Sequence, residues 1–226
     1  MRKLNSIRLF SSDVLERMHK ENQNNYKFLF LLYVSVMLII TFLQQEFVLL
    51  PELQNLDIVG EEAKGQLLER YQKTRWISYL FAPALLLLRL SLVTLCLYVG
   101  GFFFPEMSGK KFKDWWEVAM NAQSVMLSYS IILCAVNIGL GANKAMELTT
   151  YTSLLFLGGE NIEPWVRMPL AAVNVFEILY WIIMALLVRK LCGTRFGCSF
   201  KFVMSTYGVG YLFYISLLMF LMLYLT

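Results

Sequence analysis

The sequence predicts an all-α fold, a polytopic transmembrane bundle of five spans, and three observations predict it. The first is a set of five apolar stretches, at about 28–43, 77–104, 116–140, 165–188 and 202–225. A helix rising ~1.5 Å per residue needs about 20 mostly apolar residues to cross a bilayer core ~30 Å thick. The second is composition: 58% of residues are hydrophobic and 16% are charged, where soluble domains carry about 25% charged residues. The third is an alternation of basic and acidic loops between the stretches. The net charge of +4 is scattered, so no nucleic-acid surface is expected. One helical domain, 28–226, follows a cytoplasmic segment, 1–27.

The segment 10–20 (FSSDVLERMHK) reads as a short amphipathic helix. Asp13 and Glu16 mark its start, and Phe10, Val14, Leu15 and Met18 recur at helical spacing. Such a helix lies along an anionic inner leaflet or docks on the bundle's own loops. The polar lead-in is long, and no small-x-small site follows the first stretch, so 28–43 is read as a retained span. Residue 2 is Arg, which is not a myristoylation signal.

Orientation follows from the loops, because Lys and Arg concentrate on the cytoplasmic side. The tail carries Arg2, Lys3, Arg8, Arg17, Lys20 and Lys27. Loop 105–115 carries Lys110, Lys111 and Lys113, and loop 189–201 carries Arg189, Lys190, Arg195 and Lys201 without an acid. Loops 44–76 and 141–164 are the acidic ones. The amino terminus is therefore expected inside and the carboxyl terminus outside. Residues 61–76 are helical in pattern and continue into the second span at Trp76, and 148–163 is apolar enough for an interfacial helix or a re-entrant segment.

Ionisable groups inside a bilayer are costly and normally face protein. Arg89 and Glu177 each stand twelve residues into their spans, counting from 77 and 165. Matched depth and opposite charge predict a buried ion pair, structural in one reading and an ion or proton site in the other. Asn174 lies one turn from Glu177 and is expected to bond to the pair. The third span is the most polar. Glu117, Asn121, Ser124 and Ser128 share one face, while Gln123, Ser130 and Asn137 fall nearly opposite. This predicts a central helix joined to several neighbours by interhelical hydrogen bonds, or one lining a narrow aqueous cavity.

Known intramembrane chemistries find few of their residues here. The one histidine, His19, lies outside the spans, and HExxH is absent. Glu61 and Glu62 lack the Arg and His that paired-glutamate proteases use. The four cysteines, Cys96, Cys134, Cys192 and Cys198, read as packing residues and reduced thiols. The expectation is a non-enzymatic protein with no metal and no cofactor. Its partners are the lipid bilayer and either other membrane proteins or further copies of itself.

The layout IRLFSSDVLERMHKEN, first span, polar outer excursion and four further spans resembles the Yip family of Rab/Ypt-interacting-type membrane proteins and their bacterial relatives. In that family the fourth span starts with Asn or Asp, an aromatic and an acid; Asn174, Phe176 and Glu177 stand at the corresponding places, followed by Gly193 and Gly197 in a loop. Ser11 and Ser12 stand where the family often has Pro, and Glu177 where Asp is common. The resemblance implies a membrane adaptor, scaffold or accessory subunit, and the bacterial type implies the inner (plasma) membrane. Two alternatives from the residues themselves are a small transporter or permease-like subunit and a lipid-handling membrane protein.

Overall fold

The computed structural model describes residues 27–54, 61–158 and 163–225. The amphipathic segment at 10–20 lies outside them. The described residues form an all-α protein, and four of their helices are long and apolar enough to cross a membrane. This is the architecture of an integral membrane protein.

Helix α1 is Lys27–Gln54, longer than the predicted 28–43 because it continues through a π-helical turn at Gln45–Leu49. Helix α2 is Glu61–Gly101. Its 41 residues span about 60 Å, twice a bilayer core, so its polar amino-terminal part must project beyond the hydrocarbon. The projecting parts of α1 and α2 are tied together. Gln45 Nε2 donates to the Arg75 carbonyl at 3.2 Å, Tyr71 Oη donates to the Gln45 carbonyl at 3.2 Å, and Arg75 pairs with Glu46 at 2.9 Å. The acidic excursion 44–76 is thus largely helical.

Helix α3, Phe112–Leu140, starts where Asp114 accepts a hydrogen bond from the Lys111 backbone at 2.8 Å. Gly141, at φ 89°, ends it. Helix α4, Ala142–Thr152, packs back against α3 and leads to a 3₁₀ turn at Leu154–Gly158.

The predicted fourth span, 165–188, is not one helix. It is α5, Pro164–Ala172, and α6, Val175–Cys192, separated at Val173–Asn174. Ser153 pairs with Asn174 in an isolated antiparallel bridge, and the Leu154 amide donates to the Val173 carbonyl at 2.9 Å. Helix lengths explain the meeting. At ~1.5 Å per residue α3 is about 43 Å long, α4 returns about 16 Å of that, and α6 reaches up about 27 Å from the other side. Of the segment 148–163, residues 148–152 end α4 and Leu154–Gly158 form the 3₁₀ turn that follows it.

Gly193, at φ 69°, caps α6 and turns the chain into α7, Phe196–Val203. A π-helical turn, Met204–Gly208, joins α7 to α8, Val209–Leu225. The core lies where α2, α3, α6 and α7 meet, around Leu90, Leu97, Trp115, Met120, Tyr180, Met184, Val188 and Phe202.

Candidate functional site

Glu177 lies in the first turn of α6 and is held by both backbone and side chain. The Asn174 Oδ1 accepts from the Glu177 amide at 2.9 Å, capping α6. Asn174 thus bonds to the backbone of Glu177, whereas the sequence predicts a bond to the ion pair itself. The carboxylate itself is enclosed. Arg89 Nη2 donates to Oε2 at 3.1 Å, while Trp181 Nε1 at 3.1 Å and Tyr207 Oη at 2.7 Å donate to Oε1. The Glu177 side chain is 3% exposed and that of Arg89 34% exposed. The guanidinium also stacks over Tyr180, 5.3 Å from the ring centroid.

The break beside this pair frees backbone carbonyls that lipid cannot satisfy. Leu154 takes that of Val173, and Tyr211 Oη takes that of Ala172 at 2.7 Å. Tyr207 and Tyr211 come from the π-helical turn and the helix after it, with ring centroids 6.0 Å apart. The π turn widens α7–α8 where these two phenols must reach different partners. Tyr180 Oη, fully buried, has no hydrogen-bond partner among the described residues. Each carboxylate oxygen is occupied by a donor from the protein, an arrangement suited to locking α2, α6 and α7–α8 together.

Sequence reasoning missed Trp181, Tyr207 and Tyr211. It also missed the break, although Asn174-Val-Phe-Glu177 is a helix-start signature that was legible. Trp181 was findable too, since it stands at i+4 from Glu177 on the same helix face. Tyr207 was not, because its reach depends on the π turn.

The polar face of α3 behaves differently from expectation. Asn121, Ser124 and Ser128 are exposed and Glu117 is half-buried. Their groups return to their own helix instead of bridging to several neighbours. Asn121 Nδ2 donates to the Glu117 carbonyl, Ser124 Oγ to that of Asn121, and Ser128 Oγ to that of Ser124, at 2.8–2.9 Å. Ser124 additionally lies beside the buried Tyr33 of α1. The opposite face turns inward. Gln123 is buried, Ser130 bonds to the Met126 carbonyl at 3.0 Å, and the Gln123 Oε1 and Asn137 Oδ1 atoms are buried without a hydrogen-bond partner among the described residues. The two polar faces are therefore one inward and one outward. The reason is that a serine or asparagine in a helix can satisfy itself on the carbonyl one turn back.

The predicted basic loop 189–201 shrinks to a tight turn. Arg189 and Lys190 stand in the last turn of α6, Arg195 precedes α7 and Lys201 lies in its last turn. Arg189 and Lys190 suit the carboxyl-terminal end of α6, whereas Arg195 stands at the amino-terminal cap of α7. Cys198 donates to Glu106 across this end of the bundle, and Thr194 and Ser199 bond at 2.7 Å. No family model matches this chain, and neither does any curated protein or solved structure.

Proposed function

We propose that this chain is a non-enzymatic membrane adaptor, scaffold or accessory subunit that contacts other membrane proteins inside the bilayer. One observation carries the reading. Asn121, Ser124 and Ser128 are exposed on a helix otherwise apolar enough to cross a membrane. Each of the three already bonds to a carbonyl of its own helix, and small polar side chains of this kind pack more favourably against a neighbouring helix than against acyl chains. The likeness of the 174–177 segment to the Yip family agrees with such a role. In this reading the chain crosses the membrane five times, α5 and α6 together making the fourth crossing. Its amino terminus and basic turns face the cytoplasm, in a bacterial inner membrane if the resemblance is of the bacterial type.

The test is affinity isolation of the tagged full chain from its native membrane in mild detergent. A stoichiometric membrane protein should accompany it and be lost in the Asn121→Leu/Ser128→Leu variant. Strictly solitary recovery of the wild type, with no partner and no second copy, counts against the reading.

A second reading, a small transporter or permease-like subunit, is favoured by the helix break next to Glu177, since discontinuous helices elsewhere frame midplane binding sites. It expects Glu177→Gln to abolish flux in a protein that still folds. Undiminished flux in that variant removes it.

A further inference from the structure

Two turns at one end of the bundle are far apart in sequence and together in space. One joins α2 to α3 and the other joins α6 to α7. Phe202 of α7 holds them to each other, its ring centroid 5.2 Å from that of Phe104 and 5.2 Å from that of Trp115. Cys198 Sγ donates to Glu106 across the same gap, and Lys110 lies within electrostatic reach of Cys192 at the end of α6. The fold thereby gathers Lys110, Lys111, Arg189, Lys190, Arg195 and Lys201 at one end. All but the half-buried Lys110 are exposed. None of the six enters an ion pair among the described residues. Glu106 and Asp114, the acids of the first turn, are instead taken up by the Cys198 thiol and the Lys111 amide. Apolar surface lies beside this charge: Phe102 is 69% and Phe103 78% exposed, and Phe112 and Phe196 are exposed as well.

We infer that this end of the bundle binds an anionic phospholipid, with the phosphate against the cations of both turns and the acyl chains against the exposed phenylalanines. Charge and apolar surface together select the occupant. A soluble polyanion, such as an acidic peptide, would meet the cations and leave the rings in water. A zwitterionic lipid would cover the rings and bring no net charge to the cations. A phospholipid of net negative charge answers both, because basic groups at the membrane surface attract anionic headgroups while aromatic rings sit at headgroup level. The general bias of short loops toward Lys and Arg asks only for cations in each loop. It does not ask for two loops brought to one place by a shared aromatic contact. The proposed orientation sets this end in the leaflet where anionic lipids attract basic segments. The binding itself depends neither on that orientation nor on the adaptor role.

The experiment is native mass spectrometry of the detergent-purified full-length chain, offered phosphatidylglycerol and phosphatidylcholine with identical acyl chains in competition. The wild type should retain phosphatidylglycerol over phosphatidylcholine by at least about fivefold. Lys110→Gln/Lys111→Gln and Arg195→Gln/Lys201→Gln should each remove most of that preference, since the site spans both turns. The charge-keeping Lys110→Arg/Lys111→Arg should retain it, as should Lys64→Gln/Arg70→Gln on the projecting part of α2. These side chains lie at the surface, so melting in phosphatidylcholine alone should match the wild type and separate lost binding from lost fold. A wild type without the preference overturns the inference, as does a preference that survives either glutamine pair at the two turns. Displacement of phosphatidylglycerol by an equal concentration of free glycerol phosphate overturns a lipid site in favour of phosphate alone. Stabilisation by a polyglutamate peptide, with no preference between the lipids, overturns it in favour of an acidic protein segment.

Discussion

At Glu177 the carboxylate and the backbone amide are held by different neighbours, so the two contributions separate by mutation. Glu177→Leu leaves the Arg89 guanidinium without its anion, and removing one member of a buried pair costs about 3–5 kcal/mol. Replacing both, as Arg89→Leu/Glu177→Leu, should recover most of that loss. Thermal unfolding in mild detergent measures it; a double variant no more stable than the worse single one contradicts the pairing. Asn174→Ala removes only the cap on α6 and should cost about 1 kcal/mol, with Asn174→Asp close to wild type. That Arg89 and Glu177 meet could be anticipated from their matched positions along the sequence, although the count to Glu177 runs across the break at Val173–Asn174. The roles of Trp181 and Tyr207 could not be read together, since one follows from helix periodicity and the other from how two helices rotate about each other.

Among the elements, the approach of α2 to α7–α8 is set by glycines. A Cβ on Gly100 would overlap the Thr206 side chain, and one on Gly210 would sit 3.2 Å from Cys96 Sγ. Gly100→Ala should therefore cost about 1–3 kcal/mol through overpacking. Thr206→Ala should restore part of it, because it removes the methyl group that an added Cβ meets first. A chemical-denaturation midpoint for the two single variants and the double variant decides this, and additivity of the two changes would argue against the contact. The turn between α6 and α7 has a backbone reason for its glycine. Gly193 stands at φ 69° with its amide bonded to the Arg189 carbonyl at 2.9 Å. Gly193→Ala places a side chain in the left-handed region and should destabilise by about 1 kcal/mol. Gly197, in the first turn of α7, should tolerate alanine, since nothing lies near its added Cβ.

For the whole molecule, the proposed orientation puts the turns at Gly109 and Gly193 on one side of the membrane and Gly141 on the other. In a cysteine-substituted background, a membrane-impermeant maleimide added outside intact cells should modify Gly141→Cys and spare Gly109→Cys and Gly193→Cys until the membrane is opened. Labelling of all three from outside would overturn the five-crossing proposal. The arrangement also explains how α3 contacts α1, α2, α4 and α6 and yet leaves Asn121 and Ser128 exposed among the described residues. α4 folds back along one side only, and the break between α5 and α6 lets its tip insert there.

The sequence by itself determined that the chain is helical and membrane-bound. Lipid offers no hydrogen bonds to the backbone, so long apolar stretches have few alternatives to helix. It also pointed to the pairing of Arg89 with Glu177. Only the tertiary structure decided that the fourth apolar stretch divides at Val173–Asn174. Average hydropathy does not register one extended residue pair, and the break stands because Leu154 and Tyr211, distant in sequence, take the carbonyls it frees. The tertiary structure alone also decided which polar face of α3 points outward. The two faces are nearly equal in sequence, and the choice falls to the helices that pack beside them.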